Sequence, residues 1–151
     1  MAFKPRWLVI HHTQGWWQGQ PTDLAAILRE RGLKGYHWCQ YCDDSFSSDW
    51  RMAALTRGDL PGEHVAGHNS ECIGYAFIGN FQAEPPSDTR LAAAAIDCAV
   101  LLRLYGLTPA DMIAHRDVPD NDTSCPGLAF SPALFEQFRT KVAEQYEIGG
   151  A

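Results

Sequence analysis

Ile113-Ala114-His115-Arg116-Asp117-Val118, running on to Thr123-Ser124-Cys125-Pro126-Gly127, is the stretch around which the chain is organised. A short apolar lead delivers a histidine, a polar loop of Pro, Asp and Asn follows, and a cysteine stands before Pro-Gly. Imidazole and thiolate are both good ligands for Zn²⁺, and a loop of this length can fold the two onto one ion. A catalytic metal needs a third ligand. The obvious donor lies far upstream in Trp7-Leu8-Val9-Ile10-His11-His12-Thr13, where an apolar run ends in a histidine pair. Three protein ligands with an open fourth position are the pattern of a hydrolytic zinc site.

The rest of the chain reads as scaffold. Its 151 residues suit one domain spanning 1–151, and such a domain buries about 68–70% of its unfolded surface, enough for a core without staples. With 46% apolar and 20% charged residues the composition is that of a globular protein. The net charge of −6 argues against nucleic acid as a partner. No apolar run approaches the roughly 20 residues of a membrane span, so membrane insertion is not expected. The N-terminus, Met1-Ala2-Phe3-Lys4-Pro5-Arg6, leads straight toward a strand without a signal-peptide core. Synthesis in the cytoplasm is therefore expected, with any export needing outside help. Five cysteines, Cys39, Cys42, Cys72, Cys98 and Cys125, make an odd count without a disulfide pattern.

Outward from the histidine pair, residues 6–12 read as a buried central strand. The Gly- and Pro-punctuated loop 13–21 follows, and its Trp16 and Trp17 fit either a hydrophobic flap or the lip of a sugar- or peptide-binding cleft. Thr22 or Asp23 can cap a helix with Leu24, Ile27 and Leu28 on its apolar face and Gly32 as its stop. Residues 35–42 read as an aromatic-rich strand, 43–45 as a turn and 46–50 as a short hairpin partner. Residues 51–71 are irregular, with His64 and His68 among glycines. A second buried strand covers 72–79. Ser87 caps the clearest helix, in which Leu91, Ala94, Ala95, Cys98, Leu101, Leu102 and Tyr105 repeat at three and four before Gly106. A strand at 112–115 follows. Ser131 and Pro132 open a last helix with Leu134, Phe135, Phe138 and Val142 inward, ahead of a frayed tail at 149–151. Strands alternating irregularly with helices, and one hairpin, imply an α/β domain whose mixed central sheet is flanked by helices. Cys39 and Cys42, three apart on a strand, face opposite sides, which suits one core and one surface residue better than a metal pair. Cys72 and Cys98 read as core residues.

Four motifs occur in one order: Val9-Ile10-His11-His12-Thr13; Gly35-Tyr36-His37; Gly67-His68-Asn69-Ser70 with Ile73-Gly74 and Gly79-Asn80-Phe81; and Ala114-His115-Arg116-Asp117 with Ser124-Cys125-Pro126-Gly127. The order resembles the zinc-dependent N-acetylmuramoyl-L-alanine amidases, a family that includes the phage lysozyme amidases and the peptidoglycan recognition proteins. The resemblance covers roughly residues 6–140. It implies the mixed-sheet fold of that family, one Zn²⁺ ion, and His11, His115 and Cys125 as its ligands. In that family the first histidine of such a pair takes the metal, which makes His12 the weaker candidate, and strand geometry supports a single ligand from the pair because adjacent residues face opposite ways. Tyr36 falls where the catalytic members carry a tyrosine beside the zinc. The lesser alternative is one more aromatic in an aromatic strand. Two residues before the ligand cysteine, the phage enzymes carry a catalytic lysine. This chain has Thr123, as the amidase-active recognition proteins do. The loop from His115 to Cys125 is two residues longer than in many relatives, which leaves the placement of Asp120-Asn121-Asp122 open. His68, with Asn69, resembles a loop that lines the substrate groove. A surface turn is the other reading.

The activity so implied is hydrolysis of the amide joining N-acetylmuramic acid to L-alanine in peptidoglycan. Zinc on two neutral imidazoles and a thiolate keeps a charge of about +1 and lowers the pKa of a water toward about 7. Tyr36 can donate to the developing oxyanion. The proton for the leaving amine can come from Tyr36, from Thr123 through a water, or from His37, which is also placed with Trp16, Trp17, His68 and Asn69 against substrate. A phage endolysin acting on the cell wall or periplasm as a monomer is the expected role. A muropeptide-recycling amidase, a toxin delivered between bacteria, a polymerase-contacting regulator and a non-catalytic peptidoglycan-binding module are the alternatives. The complete ligand set favours an enzyme over the last.

Overall fold

The computed structural model describes residues 2–14, 20–42 and 49–150. Trp16 and Trp17, the turn expected at 43–45 and most of the hairpin partner expected at 46–50 lie outside them. Strand β1 (Trp7–His12) occupies the middle of the sheet as its apolar run requires, buried from Leu8 onward. It pairs in parallel with β4 (Cys72–Phe77) on one side and with β5 (Met112–Ala114) on the other. Beyond β4 come β2 (Trp38–Cys42), parallel to β4, and β3 (Trp50–Ala54), antiparallel to β2. The five strands stand in the order β3-β2-β4-β1-β5, the mixed sheet that the alternating pattern implies.

Alternation along β1 sorts its residues onto two faces. Leu8 and Ile10 join Ile73, Tyr75 and Phe77 under helices α2 (Asp88–Leu104) and α3 (Pro132–Gly149). There Phe77, Phe130 and Phe138 meet edge to face with centroids 5.7–6.0 Å apart, a favoured aromatic geometry. Val9 faces the other way, toward Val65, Cys72 and Val118, and on the same side helix α1 (Pro21–Glu30) lays Leu24 and Leu28 on Cys39, Ala76 and Ile78. His11, two residues after Val9, emerges on this second, thinner side. No described helix is long and apolar enough to cross a membrane.

The caps of α2 and α3 are those expected: Ser87 Oγ accepts from the Arg90 N–H (3.3 Å) and Ser131 Oγ from the Leu134 N–H (3.1 Å). Several boundaries differ from expectation, four of them with a local cause. Helix α1 starts at Pro21 with Gln20 at its N-cap, not Thr22 or Asp23. Proline suits the first helical position, and the Asp23 carboxylate accepts the Gln20 N–H (3.0 Å) from inside the first turn. Strand β2 starts at Trp38, not Gly35. Gly35 is left-handed (φ +69°) and its carbonyl accepts from Glu63, which turns residues 35–37 toward the 62–69 loop. The partner of β2 runs from Trp50 to Ala54, sharing with the expected 46–50 only Trp50, which pairs with Cys42. Finally, α3 continues to Gly149, where fraying was expected, and the Arg103 guanidinium donates to the Tyr146 carbonyl beside its last turn.

Candidate active site

Sheet register brings the two histidines together. Ile10 pairs with Ala114 in the parallel β1–β5 ladder, so His11 and His115 are the next residues along neighbouring strands. Their rings lie 4.6 Å apart, centroid to centroid. His115 itself opens a 3-10 turn (His115–Asp117) rather than extending β5. The loop that follows closes on itself. The Arg116 N–H donates to the Cys125 carbonyl (2.9 Å), and the Arg116 guanidinium donates to the carbonyls of Gly127 (3.0 Å) and Phe130 (2.6 Å). The Cys125–Pro126 peptide is cis. Gly127 is left-handed (φ +119°) and packs against the Phe81 backbone where a Cβ would collide, which accounts for the Pro-Gly after the cysteine. This closure sets the Cys125 sulfur 3.6 Å from His11 Nδ1.

One nitrogen each from His11 and His115 and the sulfur of Cys125 all lie within 4.8 Å of one another. His12, on the opposite face of β1, accepts the Phe81 N–H on Nδ1 (3.0 Å) and stacks near the Phe81 ring. The trio stands at the wall of a cleft of about 490 Å³ that Tyr36, His64, Asn69 and Thr123 also line. Burial pushes the His11 pKa well below the usual imidazole value, with His64 and His115 nearby adding to it, and burial lowers His115 as well. Both rings are neutral at pH 7 and keep a lone pair for an ion. The same burial raises the Cys125 thiol to about 12. A sulfur so placed ionises only against a cation, and two neutral imidazoles beside it complete a donor set suited to Zn²⁺. Tyr36 is tilted against His11 with centroids 4.8 Å apart. Burial, and next the nearby Cys125, hold its pKa above the ordinary phenol value, so its hydroxyl remains a donor.

The other residues singled out from sequence separate. Thr123 lines the cleft, with its Oγ1 accepting the Cys125 N–H (3.1 Å). Asn69 lines it too, but its Oδ1 accepts the backbone N–H groups of His64 (2.9 Å) and Val65 (2.8 Å), so it shapes the loop. His68 is not among the residues lining the cleft. Its Nδ1 pairs with Glu71 (2.8 Å) and its ring tilts toward Trp7. His37 corrects the reading that put it against substrate or made it a proton carrier. It is fully buried, its Nδ1 accepts the Gly74 N–H (3.0 Å) and its Nε2 donates to the Leu60 carbonyl (2.8 Å), so neither nitrogen is free. His64 was not anticipated. Its Nδ1 meets His11 Nε2 at 2.9 Å, and burial lowers its pKa to about 3. It sits in an irregular stretch whose only sequence signal was a histidine between glycines.

Residues 2–128 match the family model described as N-acetylmuramoyl-L-alanine amidase. The chain belongs to this amidase family. Among relatives, the chain is 39% identical over 143 residues to the N-acetylmuramoyl-L-alanine amidase of Sus scrofa, covering 88% of this chain and 23% of that protein. It is 29% identical over 137 residues to peptidoglycan recognition protein 3 of Mus musculus, covering 85% and 38%. The chain thus spans less than half the length of either. Among solved structures, the endolysin N-acetylmuramoyl-L-alanine amidase LysCS of Clostridium intestinale superposes with a TM-score of 0.75 at 27% identity, over 93% of this chain and 84% of that chain.

Proposed function

We propose that the protein hydrolyses the amide between the lactyl carbonyl of N-acetylmuramic acid and L-alanine, with one Zn²⁺ ion held by His11, His115 and Cys125. The observation that carries this reading is the convergence of those three donors within 4.8 Å at the wall of an open cleft. A zinc ion held there supplies Lewis acidity toward the amide carbonyl and lowers the pKa of water to about 7. The chain supplies the rest. Tyr36, protonated and against His11, donates a hydrogen bond where negative charge develops on the carbonyl oxygen. Thr123, fixed by Cys125, stands where it can pass a proton through a water to the departing amine. The scissile C–N bond breaks, water gives its oxygen to the lactyl carboxylate, and the amine of L-alanine leaves with a proton. Leu33, Gly35, Glu63 and Ala66 also line the cleft, where the peptide stem would lie.

The likeness to the Clostridium endolysin amidase supports a wall-degrading role, and action as a monomer in the bacterial cell wall or periplasm is part of the same proposal. The recognition-protein likeness is the specific observation that favours a second reading, a module that binds peptidoglycan without cutting it. Incubating the purified protein with Gram-negative sacculi, with and without a chelator, distinguishes the two. The expected products are new L-alanine N-termini without new reducing sugars, abolished by chelation. Glycan cleavage or chelator-resistant turnover would sink the zinc-amidase reading. Binding without products would favour the module. Cys125→Ser is expected to remain folded while losing both zinc and turnover.

A further inference from the structure

Each of the two histidines has one nitrogen facing away from the other ligands, and each of those nitrogens meets a side chain that no motif pointed to. His64 Nε2 lies 3.2 Å from the Cys72 carbonyl. A carbonyl only accepts, so this nitrogen of the neutral ring carries the hydrogen and His64 Nδ1 carries the lone pair. His11 Nε2, 2.9 Å from that lone pair, must then be the donor. This leaves His11 Nδ1 unprotonated, facing the Cys125 sulfur at 3.6 Å.

The same reasoning runs through Asn121. Its amide nitrogen donates to the carbonyls of Ala66 and Pro119, both at 3.0 Å, and its Oδ1 accepts the Ala66 N–H at 3.2 Å. These backbone partners fix which end of the amide is oxygen. That oxygen lies 2.9 Å from His115 Nε2, which must therefore carry a hydrogen, leaving Nδ1 as the free lone pair. Asn121 belongs to the loop between His115 and Cys125.

We propose that His64 and Asn121 are positioning residues that lock His11 and His115 in the Nε2–H form, so that the Nδ1 lone pair of each is held ready for one ion before the ion arrives. The inference rests on the zinc reading of the site, and it extends that reading to the 62–69 loop. His64 belongs to this loop, and Asn121 grips it at both backbone atoms of Ala66. Asn69 caps it at His64 and Val65. Strand β4 makes room for the arrangement at Gly74, where a Cβ would lie 2.8 Å from the His64 ring. The 62–69 loop thereby holds the outer side of His11 directly and that of His115 through Asn121, so its placement and the orientation of the ligands are linked.

The test is the tautomer of each ring, read by long-range ¹⁵N–¹H correlation on the full chain, together with its affinity for Zn²⁺ by chelator competition. In the metal-free wild type both His11 and His115 are expected as Nε2–H. An Nδ1–H form at either ring overturns the proposal, whatever the variants do. His64→Phe is expected to release the tautomer of His11 alone and Asn121→Leu that of His115 alone. Each is expected to weaken zinc about 10–100-fold, the range for lost outer partners of metal ligands. If wild type binds zinc and both variants bind it within about twofold with unchanged tautomers, the positioning role falls and the zinc reading stands. If wild type binds no zinc, the zinc reading falls, and the metal-free tautomers still decide whether the rings are locked.

Discussion

Tyr36 illustrates what a single residue contributes once its surroundings are known. In sequence it was one aromatic among several at 35–42. In the fold it is half-buried against His11, with its hydroxyl kept protonated. Tyr36→Phe removes a donor without leaving a cavity, so kcat on a soluble muropeptide is expected to fall about 10²–10³-fold, the cost of one oxyanion donor elsewhere. KM and zinc content should hardly move. A variant with wild-type kcat would remove Tyr36 from the chemistry. The trio His11, His115 and Cys125 was legible because metal-binding residue types stood at strand ends and within loop reach. His64 and Asn121 were not, because they act on the second nitrogen of each ring and lie in loops without periodicity. His37 misled for the opposite reason: its place beside Tyr36 suggested the cleft, whereas its two ring nitrogens tie β4 to the loop at Leu60.

Among the elements, the helices announced their starts where a serine hydroxyl could satisfy a first-turn N–H, as at Ser87 and Ser131. They hid the start where Gln20 and Pro21 took that place. That the partner strand runs on to Ala54 was not legible, because an antiparallel partner is defined by register, and the pairing of Cys42 with Trp50 is not written in either segment alone. A pair of substitutions separates element stability from site geometry. Ser87→Ala removes the α2 cap and is expected to cost about 1 kcal/mol in urea unfolding, with zinc affinity unchanged. Gly74→Ala pushes a methyl group into the His64 ring and is expected to weaken zinc even under conditions where the protein stays folded. Equal effects of the two on zinc would mean that β4 does not shape the site.

For the molecule as a whole, buried neutral histidines make stability depend on pH. Burial lowers His64 to about 3 and His12 to about 4, and His11 also lies well below its unfolded value of about 6.5. Between those values the unfolded chain holds protons that the folded chain refuses, so stability rises with pH and is lost as pH falls below about 6.5. His64 alone sets a slope of up to ~1.4 kcal/mol per pH unit in that window. The melting temperature of the metal-free protein is expected to fall steadily from pH 7 to pH 5, and a flat profile would mean that these rings are solvated. The sheet class and its flanking helices were legible from alternating apolar runs. The strand order was not, since placing β1 between β4 and β5 depends on contacts far apart in sequence.

That order has one more outcome. β5 is the shortest strand, three residues at the sheet's rim, joined to β1 by only three paired positions. An ion held by the residues just past the last rung, as we propose, would act as a rivet between rim and centre, with the cysteine loop drawn under the same head. Occupancy of the site and the integrity of that margin would then be coupled, so that withdrawing the metal would loosen the seam as well as stop the proposed hydrolysis.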